Sequence, residues 1–153
     1  MKTPKFKPDF SSLLIHSKPG NDLIAELIKN PTYINFVAYF NARVGWQEYP
    51  LVHDRMLTYS LFFDFEIQLP KNPDILSKFL DFAIQIAKTE KENKDRFYCA
   101  LALITDISKR LVIYRTLNTI EAKNILSFED LVEKYKELSN IECYWKQLLN
   151  MCT

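Results

Sequence analysis

SLFFDFEIQLP, Ser60 to Pro70, decides how the rest of the chain is read. On a strand, Phe63, Phe65, Ile67 and Leu69 share one face, while Asp64, Glu66 and Gln68 share the other. On a helix, at roughly 100° per residue, Asp64 and Gln68 would stack and Glu66 would land among the phenylalanines. Burying that unpaired carboxylate would cost several kcal/mol or force it to hold a proton. The two-residue rhythm avoids this cost, and Pro70 ends a strand cleanly. The stretch therefore reads as a strand.

From there the pattern changes period. Asn72-Pro73 supplies an N-cap and a first-turn proline. Ile75, Phe79, Phe82, Ala83, Ile86 and Ala87 then recur at helical spacing, opposite Asp74, Lys78, Asp81, Gln85 and Lys88. An amphipathic helix is expected, ending in TEKENKD. RFYCALALIT, Arg96 to Thr105, is apolar on both parities, which suits a buried strand or a buried helix. LVIYRTL, Leu111 to Leu117, is β-branched and aromatic in the manner of strands, with TDISKR (105–110) as the loop between the two.

Asn118 to Leu138 has helical spacing, with Ser127 and Asp130 resembling a capping box at a second start and Leu131, Val132, Tyr135 and Leu138 as its buried stripe. In NIECYWKQLLN, Asn140 to Asn150, Ile141, Cys143 and Trp145 alternate with Glu142, Tyr144 and Lys146. A short closing strand fits, and so does a terminal helix.

Read together, Met56 to Gln147 spells strand, helix, strand, strand, helix, strand. The expected class is α+β, a ferredoxin-like βαββαβ sandwich with both helices on one sheet face. Asp64 and Glu66 would lie on the open face near Val112, Tyr114 and Thr116, a face that needs a partner or a polar surface. The alternative is an all-α bundle. Met1 to Gly20 carries three of the seven prolines and reads as a flexible N-terminal arm, leaving 21–153 as one domain. Asn21 to Lys29 reads as an extra N-terminal helix with Leu23, Ile24, Leu27 and Ile28 inward. Residues 34–44 alternate like a possible further strand, yet Tyr33, Val37, Phe40 and Val44 also match a helix. KNPTY at Lys29 and KNPDI at Lys71 have no third copy, so they read as one capping chemistry used twice rather than as a helical repeat.

Bulk properties narrow the function classes. A formal charge of +1 gives no whole-chain case for a nucleic-acid partner or an anionic membrane. No apolar run approaches the roughly 20 residues of a spanning helix, and no signal peptide is visible. Cys99, Cys143 and Cys152 lack paired spacing and read as reduced thiols of a cytoplasmic protein. With only Gly20 and Gly45, phosphate-cradling loops are excluded, and no nucleophile elbow or CxxC is present. No cofactor is implied.

Three constellations could carry function. His16, His53-Asp54 and Asp106 fall in the order used by metal-dependent phosphohydrolases, and YPLVHDRML superficially resembles the HD helix of that family. The competing reading is a surface histidine beside an exposed aspartate. Asp64 and Glu66, two apart on a strand, could form an acid/base pair or simply be solvated carboxylates. Tyr33, Tyr39, Arg43, Trp46 and Tyr49 form an aromatic and cationic group of the kind enriched at protein interfaces, or one that packs the first third.

GWQEYP at Gly45, the segment SLFFDFEI, the hairpin ending in KRLVIYRT and the late Trp145 resemble a ferredoxin-like family of bacterial proteins of unknown function. Some members accompany the type B protein regulator of ribonuclease E. The resemblance spans roughly Gly45 to Leu149 and carries no catalytic residues. It implies a small regulatory or binding domain. The expected function is therefore non-enzymatic, through a protein partner or a homo-oligomer, with Tyr39, Arg43, Trp46, Tyr49, Asp64, Glu66 and Tyr114 as interface candidates. A metal-dependent hydrolase using His53 and Asp54, or an all-α interaction protein of effector or immunity type, are the alternatives.

Overall fold

Asn72 opens the second half of the chain by capping a helix. Its side-chain oxygen accepts from the backbone N–H groups of Asp74 at 2.8 Å and Ile75 at 3.2 Å, satisfying donors that the first turn leaves orphaned. The computed structural model describes residues 23–45, 70–138 and 140–153. It divides into two units, Met1–Leu69 and Pro70–Thr153.

In the first unit, residues 23–29 form helix α1, and α2 spans Tyr33–Gly45. Ile24 and Leu27 are fully buried, while Ile28 is exposed, contrary to its expected inward position. In α2 the buried residues are Phe36, Tyr39 and Phe40, three and four apart. That spacing is helical, and the possible strand over 34–44 is overturned. The repeated KNP also divides. Asn30 does not cap α2: its side chain donates to Glu26 Oε2 at 2.8 Å, and the Asn35 N–H is taken by Thr32 Oγ1 at 3.2 Å.

The second unit contains α3 (Pro73–Thr89), α4 (Lys94–Leu111), α5 (Thr119–Leu126), α6 (Glu129–Lys134) and α7 (Ile141–Cys152). Of the described residues 76% are helical and none is in a strand, so the α+β, ferredoxin-like expectation is replaced by an all-α fold. Ser60 to Leu69 lies outside the described residues; the sheet falls because the segments meant to pair with it are helices and a turn.

α4 shows why. Phe97 to Thr105, Ile107, Ser108 and Leu111 are all buried. A helix covered on every side loses its amphipathic stripe, so its sequence is apolar on both parities, like a central strand. Its length and ends identify it. Asn93 accepts from the Arg96 N–H at 3.1 Å, and Asp95 in the first turn and Lys109 and Arg110 in the last complement the helix dipole. The expected loop at 105–110 is its final turns. The expected strand at Leu111–Leu117 is a turn in which Val112, Tyr114 and Arg115 donate back to Ser108, Leu111 and Leu111 carbonyls. Its β-branched residues reflect exposure there, not pairing.

α7 corrects the closing strand. Ile141, Trp145 and Leu148 are buried and Cys143 is exposed. The i, i+4, i+7 set, not the two-residue alternation, faces the core. Asn140, at φ 71°, takes the left-handed conformation that asparagine tolerates and redirects the chain into this helix.

α3 and α4 form a helical hairpin across a short turn, which Arg96 and Glu90 span with a 3.0 Å salt bridge. α7 packs on α4, and α5 on α3 and α7. Phe97 binds the two ends of α6 to α4 through an edge-on contact with Phe128 at 5.6 Å and a tilted one with Tyr135 at 5.8 Å. The Tyr135 hydroxyl donates to the Lys91 carbonyl at 2.7 Å. The expected capping box at Ser127 and Asp130 is absent: Phe128 is the N-cap residue of α6 and makes no side-chain cap, and Ser127 Oγ donates to the Asn124 carbonyl.

Two measurements check this fold. Far-ultraviolet circular dichroism will give a helical spectrum covering more than half of the chain. Asn72→Ala will lower stability by about 1 kcal/mol, the usual cost of losing an N-cap, whereas Asn30→Ala will change it by less than about half of that.

Candidate functional site

Glu121 is the third residue of α5 and is only 2% exposed. A carboxylate in that position requires donors, and the local sequence supplies them. Asn118 caps α5, accepting from the Glu121 N–H at 2.7 Å, while Glu121 Oε1 accepts from the Asn118 N–H at 2.9 Å. This is a reciprocal capping box, built from an Asn and a Glu three apart. Arg115, in the turn after α4, donates from Nη1 to Oε1 at 3.0 Å and from Nη2 to Oε2 at 2.9 Å. Ser77 of α3 completes the set with a 2.7 Å bond to Oε2. Arg115 Nη1 also holds the Thr116 carbonyl at 2.7 Å.

The cluster ties three elements to one carboxylate. Burial by itself pushes the Glu121 carboxyl up, but the bonds from Arg115, the Asn118 backbone and Ser77, with the Arg115 charge, hold it below the usual carboxylate value. Its bond to Glu121 raises Arg115 further. Nearby Asp81 of α3 is pushed up, first by partial burial and then by the Glu121 charge, with Arg115 opposing.

Three large apolar side chains close to Arg115 and Glu121 in the chain are exposed. Ile113 is 70% exposed and Tyr114 44%, both in the turn that Arg115 anchors, and Ile120, in the first turn of α5, is 71% exposed. Ile120 also lines a groove of about 540 Å³ between α3 and α5, with Asp81, Ile84, Gln85, Lys88 and Asn124. Lys88 Nζ reaches across it to Asn124 Oδ1 at 3.1 Å.

The residues singled out in the sequence fall in both units and in part outside the described residues. Tyr114 is at this surface. Tyr39 is fully buried in α2, and Arg43 belongs to α2 as well. Trp46, Tyr49, Asp64 and Glu66 lie outside the described residues, as do His16, His53 and Asp54. Asp106 is a half-buried residue of α4. Among the described residues no group of three His, Cys, Asp or Glu side chains converges as a metal site would. Burial pushes the Cys99 thiol far up, keeping it protonated, and also raises Cys152. No helix among the described residues is long and apolar enough to cross a membrane.

Glu121, Arg115 and Ile120 belong to none of the three constellations visible in the sequence. Asn118 and Glu121 did carry a readable signal, the N-x-x-E spacing of a capping box. The Arg115 and Ser77 contacts span 6 and 44 positions, and no local pattern encodes them.

A scan of protein-family models, a search of curated proteins and a search of solved structures each returned no match. The resemblance to the ribonuclease E regulator's relatives therefore rests on the quoted residues alone, and its ferredoxin-like fold is overturned.

Glu121→Gln tests the clasp, because glutamine retains the capping geometry without the charge. At neutral pH it will destabilise the protein by about 1.5–3 kcal/mol, the range for hydrogen bonds to charged groups. The folded Glu121 titrates below its ordinary value, so its contribution is complete above that value and is lost as pH falls through the lower, folded one. The gap in thermal midpoint between wild type and Glu121→Gln will accordingly shrink on acidification below the ordinary glutamate range. A gap independent of pH would rule out a charged clasp.

Proposed function

We propose that the protein is an all-α binding or regulatory domain that works through contact with protein, using the surface formed by Ile113, Tyr114 and Ile120. One observation carries this reading: large apolar side chains stand in water on a segment that four hydrogen bonds to a buried carboxylate hold in place. Exposed isoleucines scattered singly need no explanation, whereas Ile113, Tyr114 and Ile120 are exposed within one short stretch of chain on either side of the anchored Arg115, and exposed apolar and aromatic residues that lie together mark interaction sites. Holding the surface in shape before contact reduces the ordering cost of binding.

The α5 capping box and the Arg115 clasp fix the backbone from 115 to 121 without using any of the three exposed side chains. The segment is thus specified by its polar residues and leaves its apolar ones free to meet a partner. A contact of stable size would bury on the order of 1,200–2,000 Å² in total.

The test places a photoreactive benzoylphenylalanine at Tyr114 in cells expressing the chain. Irradiation will yield a discrete protein adduct, identified by mass spectrometry, that disappears when Ile113→Asp or Ile120→Asp is added. Absence of any adduct from a folded, expressed protein would overturn the reading.

A further inference from the structure

We draw no further inference here: the strongest candidate, the open groove between α3 and α5 lined by Asp81, Gln85, Lys88 and Ile120, is a mixed polar surface, and nothing in the structure shows what covers it.

Discussion

A carboxylate almost wholly removed from water has to be given back its hydrogen bonds, and Glu121 receives four. They come from the capping residue of its own helix, from the turn after α4 and from α3. Satisfying this one group therefore fixes where α5 begins, how the preceding turn is folded and how closely α5 approaches α3. A buried ion pair is not a strong source of stability against an apolar replacement of the same shape. What it supplies here is registration: a bidentate guanidinium and a capping box admit few geometries.

That registration shapes the surface. The turn exposing Ile113 and Tyr114 would be free to fray if nothing anchored Arg115, and Ile120 would have no fixed relation to the groove if α5 could slide. Asp81 shares the same electrostatic neighbourhood, with the Glu121 charge pushing its carboxyl up after partial burial has done so. The polar interior and the apolar exterior of this corner are two sides of one arrangement.

The helix hairpin beneath it depends on a different constraint. α4 is covered on every face along its middle, so each of its residues from Phe97 to Thr105 has to be apolar or satisfied from within. Thr105 is accommodated because its hydroxyl donates to the Leu101 carbonyl at 2.8 Å. The same cover removes the stripe by which a helix is recognised, which is why RFYCALALIT passed for a strand. NIECYWKQLLN misled through a coincidence: Ile141 and Trp145 satisfy a period of two and a period of 3.6 alike, and the exposed Cys143 and buried Leu148 separate them. In LVIYRTL, β-branched residues suggested a sheet, although side chains in an exposed turn obey no pairing rule.

Some features belong to the sequence itself because they are satisfied within a few residues. Asn72-Pro73 set the start of α3, Asn93 that of α4 and Asn118 with Glu121 that of α5, since an N-cap meets its donors two or three positions on. The all-α class, the burial of α4 and the surface at Ile113, Tyr114 and Ile120 were decided by the tertiary structure. An isoleucine is core or interface according to what lies opposite it, and Arg115 and Ser77 reach Glu121 only after α3, α4 and α5 have packed. Contacts of that range leave no periodic trace in the chain.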